Sequence, residues 1–285
     1  MKQIVFVSGK GGTGKSTLVA SLSLLVQSKA LADCDVDAPN LHLLINGKRL
    51  RKEDFRGAEQ ASIDLAKCVS CGVCRDTCRF GAVSEELSII PIYCEGCGAC
   101  ALACPAGAIS LTEVKTGETY ADLTQRGTFS HALLDIGAEG SGKLVTKVKE
   151  NMILFMDKEE WALVDGSPGI GCPVIASITG ADAVVAVCEP TKSGQSDLIR
   201  VLGVARHFGI PAFVCINKYD LNPGIASEIE EYCRENDFPL VGRIPFEPAI
   251  VKALQSFKTP VEAGLDNIVR EIDLIWNNLL KELSK

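Results

Sequence analysis

The chain lacks any apolar run approaching the roughly 20 residues that a membrane span requires, so none of its 285 residues is expected to cross a bilayer. It also lacks a basic surplus. Its 29 lysines and arginines stand against 36 acidic residues, a net charge of −7, which is the wrong sign for a general nucleic-acid binder. No secretory leader is expected, because Ile4-Val5-Phe6-Val7 runs straight into a glycine loop. Histidine is scarce, and His42, His131 and His207 are dispersed, so each is expected to be structural rather than a ligand. With 47% hydrophobic and 23% charged residues the chain can bury a substantial core, which excludes general disorder. These absences point to a cytoplasmic, reducing setting with no membrane and no nucleic-acid partner.

Cysteine is what the chain has in excess. Thirteen would suggest a disulfide scaffold in a small secreted protein. Here eight fall within residues 68–104, and Cys34, Cys172, Cys188, Cys215 and Cys233 are scattered without pairing logic. The eight form two copies of one spacing, Cys68-x2-Cys71-x2-Cys74-x3-Cys78 and Cys94-x2-Cys97-x2-Cys100-x3-Cys104-Pro105. The copies keep one constant offset at all four positions, and their flanks repeat as Phe80-Gly-Ala-Val-Ser and Ala106-Gly-Ala-Ile-Ser. Zinc is the alternative ligand, but zinc-binding pairs are usually split by a dozen or more residues, whereas each run crowds four thiolates into eleven. The spacing resembles that of bacterial two-cluster ferredoxins, in which three close thiolates hold one cluster and the fourth reaches across to the other. The resemblance implies two 4Fe–4S clusters, one on Cys68, Cys71, Cys74 and Cys104, the other on Cys94, Cys97, Cys100 and Cys78. Arg79 stands where the first run would carry its proline. Oxygen-sensitive clusters would also make the setting anaerobic.

A second kind of chemistry opens the chain. Gly9-Lys10-Gly11-Gly12-Thr13-Gly14-Lys15-Ser16 satisfies G-x4-G-K-[ST], with an apolar strand before it and a helix-compatible run from Thr17 to Gln27 after it. Glycines there let backbone N–H groups wrap phosphate oxygens, and the helix start adds its positive dipole end. Lys15 can reach the β- and γ-phosphates, and the Ser16 hydroxyl can coordinate Mg²⁺. Lys10, a second lysine early in the loop, resembles the deviant P-loop of the MinD/ParA/Mrp and nitrogenase iron-protein group. That resemblance implies a lysine that crosses a homodimer interface to the partner's nucleotide and stabilises transition-state charge.

The resemblance continues along the chain. Asp33-Cys-Asp35-Val-Asp37 looks like a switch I segment, which implies that Asp35 orients the attacking water and Asp37 sits near the metal. The stretch from Lys15 to Asp35 is short for this family, so the first helix or second strand is expected to be trimmed. Trp161 to Gly169 resembles Walker B and switch II, with Asp165 holding Mg²⁺ through water and Gly169 near the γ-phosphate. Asn217 matches the residue that reads the adenine edge, although Asn217-Lys218-Tyr219-Asp220 is also the guanine motif of GTPases. Gly242-Arg-Ile-Pro245-Phe looks like the last loop over the base. Cys172 follows Asp165 at the spacing of a dimer-bridging cluster ligand in the nitrogenase iron protein, but no second cysteine is suitably placed.

Apolar runs at 4–7, 162–164, 183–188 and 212–216 alternate with helix-period stretches near 193–208, 223–236 and 262–284. That alternation predicts an α/β fold, with a mainly parallel sheet covered by helices on both faces and ligands at the carboxyl ends of its strands. The P-loop ATPase domain is expected over 1–45 and 127–285. An inserted domain over 46–126 is expected to resemble a small α+β ferredoxin, with a core at 62–116 and a polar linker from Asn46 to Gln60. Gly140-Ser-Gly-Lys143 is expected to cap a helix, and the last helix to dock on the sheet. Together these features imply an ATP-binding and hydrolysing iron–sulfur protein. Nucleotide-driven closure of its homodimer would gate electron transfer through two 4Fe–4S clusters to a redox partner. Two alternatives stay open: an Mrp-like carrier that delivers metal clusters to an accepting protein, and a redox-sensing MinD-like positioning ATPase.

Overall fold

The computed structural model describes residues 1–285. In chain order the strands are β1 (Lys2–Ser8), β2 (Lys29–Asp33), β3 (Gly47–Phe55), β4 (Ala58–Ile63), β5 (Ile109–Val114), β6 (Gly117–Thr124), β7 (Gly127–Leu134), β8 (Trp161–Pro168), β9 (Ala183–Cys188), β10 (Ala212–Asn217) and β11 (Leu240–Ile244). The helices are α1 (Lys15–Leu25), α2 (Leu41–Leu44), α3 (Val73–Thr77), α4 (Ala99–Ala103), α5 (Gly142–Phe155), α6 (Cys172–Ile178), α7 (Lys192–His207), α8 (Pro223–Glu235), α9 (Pro248–Gln255) and α10 (Asp266–Glu282). The chain divides into two compact units, one of residues 1–52, 119–133 and 140–285, the other of 53–118 and 134–139.

In the first unit the apolar runs become strands for the expected reason. Ile4 to Val7, Ala183 to Val187 and Val214 to Ile216 are almost wholly buried, as strands covered on both faces must be. Nine strands form one sheet in the order β11-β10-β9-β1-β8-β2-β7-β6-β3. Every pair from β11 to β7 is parallel. From β1 the chain moves one way to β2 and later the other way to β9, so the strand order reverses beside β1. The open end of such a reversal is where α/β sheets bind ligands. Helix α10 lays Ile268, Ile272, Ile275, Trp276 and Leu279 into the core shared with Phe6, Leu18 and Leu22. The expected docking of the last helix is thus met, and Trp276 meets Trp161 edge-on at 5.0 Å between ring centroids.

Three sequence expectations are corrected here. The stretch from Asn46 to Gln60 is not a linker, since β3 and the first half of β4 occupy it. Those strands expose most of their side chains, so a polar composition concealed them. The first unit resumes at Thr119 rather than near Gly127, because β6 and β7, joined by a tight turn, both belong to its sheet. His42 and His131 are not dispersed either: their rings stack at 5.5 Å, and His131 Nε2 lies 3.3 Å from Asp122 Oδ2.

The second unit is built on repetition. Strands β4 and β5 pair antiparallel from Ala58↔Val114 to Ile63↔Ile109. Gly72 and Gly98 hold the same place in the two cysteine runs; both have φ +77°, and both cap short helices, α3 and α4. Helices this short are marginal alone. These two are held by a small core in which Cys74 and Cys100 pack with Ala61 and Val83.

Candidate functional site

The loop after β1 turns on Gly12 (φ +82°) and Gly14 (φ +88°), left-handed conformations that favour glycine. Gly14 also has no room for a side chain, because a Cβ there would come within 2.2 Å of Asn217 Nδ2. Helix α1 then starts at Lys15. A cavity of about 500 Å³ opens over the helix start, lined by residues 11–17, Asp35, Asp37 and Pro168 among others. Of the residues 9–17 expected to bind nucleotide, Gly11, Gly12, Thr13, Gly14, Lys15, Ser16 and Thr17 line it, whereas Gly9 and Lys10, the lysine expected to act across a dimer, do not. Gly169 (φ +93°) lies just beyond it and donates its N–H to Ser8 O at 2.8 Å.

Lys15 is almost fully buried and grips the carboxylates. Its Nζ is 2.6 Å from Asp165 Oδ1 and 3.7 Å from Asp35 Oδ2. The parallel register sets this up, since β2 and β8 place Asp33 opposite Asp165. Burial alone would lower the Lys15 pKa, but the charges of Asp165, then Asp35 and Asp33, outweigh it and hold it raised. Burial lifts Asp35, Lys15 pulls it back, and Asp165 adds to the rise. Asp165 Oδ2 is buried without a hydrogen-bond partner, an acceptor left with unused capacity. Asp37 lines the cavity mouth and accepts the Gly140 N–H at 2.8 Å. Ser141 caps α5 through the Leu144 N–H, as expected of that segment.

Asp33 is sealed beneath this group and accepts N–H bonds from Asp35, Asn40 and Leu41 at 3.2, 3.1 and 3.0 Å. Burial first, then Asp165, push its carboxyl up to about 8. Between the ordinary carboxylate range and that value the native chain binds a proton that the unfolded chain releases. Stability must then fall as pH rises through the window. Urea titrations of the nucleotide-free chain from about pH 5 to about pH 8 should record that fall, and Asp33→Asn should flatten it. An unaltered slope in Asp33→Asn would assign the effect to another group.

A second cavity, of about 180 Å³, adjoins the loop and is lined by Leu18, Asn217, Pro245 and Phe246 among others. Asn217 faces it, but its amide also braces the loop: Nδ2 donates to Thr13 O at 2.7 Å, and Oδ1 accepts from Lys218 N. Gly242 and Ile244 lie in strand β11, and Ile244, Pro245, Phe246 and Glu247 all line this cavity. Asp220 Oδ1 accepts the Phe246 N–H at 2.6 Å. Sequence reading missed Glu189, which follows β9 and holds both Lys10 (3.3 Å) and Lys218 (2.5 Å). Burial alone would raise the Glu189 pKa, but Lys218 and then Lys10 bring it below the usual range. A lone glutamate at a strand end carries no spacing signal.

In the second unit the eight thiols sort into two sets. Cys78, Cys94, Cys97 and Cys100 line a cavity of about 240 Å³. Cys68, Cys71, Cys74 and Cys104 line a tighter one of about 10 Å³. Each set takes three thiols from one run and the fourth from the other. Backbone N–H groups donate to several sulfurs. Two of these bonds, Ala82 N to Cys78 Sγ and Ala108 N to Cys104 Sγ, are both 3.3 Å and again stand at matching places in the two runs. Burial pushes the Cys100 thiol up and two backbone amides pull it down, while Cys94 and Cys78 add to the rise. No three of the chain's His, Cys, Asp or Glu side chains converge closely enough for a single metal ion. Cys172 is exposed at the start of α6, in the other unit.

A central parallel sheet, a phosphate-type loop and a buried lysine on two aspartates define a P-loop nucleotide-binding enzyme. Residues 4–261 match the family described as the CobQ/CobB/MinD/ParA nucleotide binding domain. The chain belongs to that family and is a P-loop ATPase. Uncharacterized protein MJ0578 of Methanocaldococcus jannaschii is 36% identical over 229 residues, covering 77% of this chain and 79% of that one. Among solved structures, the cell division ATPase MinD of Pyrococcus furiosus aligns with a TM-score of 0.59 at 18% identity, covering 98% of each chain. The septum site-determining protein MinD of Pyrococcus horikoshii, complexed with Mg-ADP, aligns at 0.56 and 17%, covering 96% of this chain and 93% of that one. No helix is long and apolar enough to cross a membrane.

Proposed function

We propose that this chain is an ATP-hydrolysing iron–sulfur protein in which nucleotide-driven closure of a homodimer gates electron transfer through two 4Fe–4S clusters to a redox partner protein. The observation that carries the proposal is the sorting of eight thiols into two crossed sets of four, on a chain that also carries an ATPase site. The clusters, held by Cys68, Cys71, Cys74 and Cys104 and by Cys94, Cys97, Cys100 and Cys78, would supply one-electron carriers. The backbone N–H groups on their sulfurs would set the potential, since such bonds favour the more negative, reduced state.

On the nucleotide side, Lys15 would exchange its hold on Asp165 for the β- and γ-phosphates. That frees Asp165, with its orphaned Oδ2, and the Ser16 hydroxyl to hold Mg²⁺. Asp35 would orient the attacking water, and Lys10 would act in trans. Mg-ADP in the Pyrococcus horikoshii relative is in keeping with this assignment. Adenine is favoured over guanine because an oxygen of Asp220, the carboxylate that would read guanine in an N-K-x-D motif, is already engaged by Phe246 N. The second unit leaves the ATPase chain after Lys52, soon after the Asp33–Asp37 segment, and its last residues end at Glu139, next in sequence to the Gly140 that bonds Asp37. Chain connectivity therefore supports coupling.

Anaerobically purified protein should contain about eight irons and eight sulfides per chain. Redox titration with ADP, with a non-hydrolysable ATP analogue and without nucleotide should give displaced midpoints. A coupling of about 1–3 kcal/mol corresponds to roughly 40–130 mV for one electron. Stoichiometric zinc in iron-replete preparations would sink the cluster assignment. Three superimposable titrations would sink the coupling and favour delivery of clusters to an acceptor.

A further inference from the structure

Lys10 stands outside the phosphate cavity, tied to Glu189 of its own chain. The tie is built by the sheet: β1 and β9 pair in parallel, with Val7 opposite Ala186, so the residue after β9 emerges beside the start of the loop. Glu189 is firmly mounted. Its carbonyl accepts the Thr191 N–H at 2.8 Å and lies where a Cβ on Gly194 would come within 2.4 Å. Its side chain is only 16% exposed, and each carboxylate oxygen serves a different ammonium, Oε2 for Lys10 at 3.3 Å and Oε1 for Lys218 at 2.5 Å. Lys218 is fixed in turn by φ +56° and by its N–H bond to Asn217.

We propose that Glu189 is a positioning residue that holds Lys10 in reserve on its own chain until the nucleotide of a second copy competes for it, with Lys218 as the standing counter-ion that stays behind. The destination of Lys10 rests on the dimer reading above; the hold within one chain does not. Lys10 is the arm that leaves, because its contact is the longer one and its side chain is the more exposed, 35% against 29% for Lys218. A carboxylate this enclosed is costly to strip of every cation. With Lys218 in place, releasing Lys10 costs only the weight of one half-exposed ion pair. The two lysines therefore compete for one carboxylate, and removing either partner of Lys10's rival pair has a predictable sign. Glu189→Gln frees Lys10. Lys218→Met leaves Lys10 as the sole cation and tightens its hold.

Two readouts on the full chain test this. The first is the acylation rate of the Lys10 amine by a succinimidyl ester in nucleotide-free protein, read by mass spectrometry. It should rise about threefold in Glu189→Gln and fall by a similar factor in Lys218→Met. The second is the concentration of a non-hydrolysable ATP analogue at half-maximal dimerisation, corrected for each variant's nucleotide affinity because Lys218 lines the base cavity. It should fall in Glu189→Gln and rise in Lys218→Met. Equal labelling in all three proteins, or shifts of the same sign in both variants, would overturn the proposal, since misfolding cannot move the two in opposite directions. Opposed labelling without any ATP-dependent dimer would uphold the hold on Lys10 and overturn the dimer reading instead.

Discussion

Lys15→Ala is expected to abolish nucleotide binding and, separately, to destabilise the nucleotide-free chain. The two losses have different causes. In the structure Lys15 neutralises Asp165 and Asp35 from a nearly fully buried position. Removing one partner of a buried pair costs about 3–5 kcal/mol, because the remaining charge is left without water or counter-ion. Nucleotide binding would then lose the ammonium proposed to take the phosphates, a truncation of about 2–5 kcal/mol. Adding Asp165→Asn to Lys15→Ala should recover much of the stability by removing the stranded charge, yet recover none of the affinity. Urea titration reads the first effect and equilibrium dialysis with ATP the second. Wild-type ATP affinity in Lys15→Ala would show that phosphates are held elsewhere.

Lys10→Ala should behave in the opposite way. Its ion pair with Glu189 is partly exposed, so its loss should cost stability no more than about 1 kcal/mol, and it contributes nothing to the cavity lining. ATP binding should persist while ATP-dependent dimerisation disappears. Turnover should fall roughly 10³-fold, by analogy with an arginine finger supplied from a partner. Steady-state rates measured over a range of protein concentrations make the test sharp. Turnover per chain in the wild type should rise with concentration, whereas Lys10→Ala should stay low throughout. Equal rates for the two proteins would remove the trans mechanism.

The ATPase half was legible because its signals are local. Apolar runs at 4–7, 183–188 and 212–216 announced buried parallel strands, and a glycine loop between strand and helix announced a phosphate site. The hairpin β6–β7 was invisible for a physical reason. Its buried side chains are mixed, with Thr119, Asp122, Thr128, Ser130 and His131 interrupting Tyr120, Ala121, Phe129 and Ala132, so it leaves no continuous apolar run to find. Strand β3 escaped because its side chains are mostly exposed and polar. The two thiol runs were visible as a repeated spacing, and the structure sorts them into the crossed sets that the ferredoxin resemblance implies. Glu189 and Asp220 were not visible, because each acts through a partner remote in sequence. Lys10 belongs to the first loop of the chain and Glu189 to the end of β9, while Phe246 reaches Asp220 from beyond the next strand.

The crossing of thiols between the two runs makes each half of the second unit complete the other's set. If the chain were cut between Cys78 and Cys94, neither fragment would own a complete set of four. The fragments would have to meet in solution, as strangers do in a swapped dimer. The unbroken chain instead holds the missing thiol at an effective concentration in the millimolar range typical of short linkers, so the fourth donor is always at hand. The same arrangement spreads injury: loss of Cys78 or Cys104 by oxidation harms a set whose other three members lie in the opposite run.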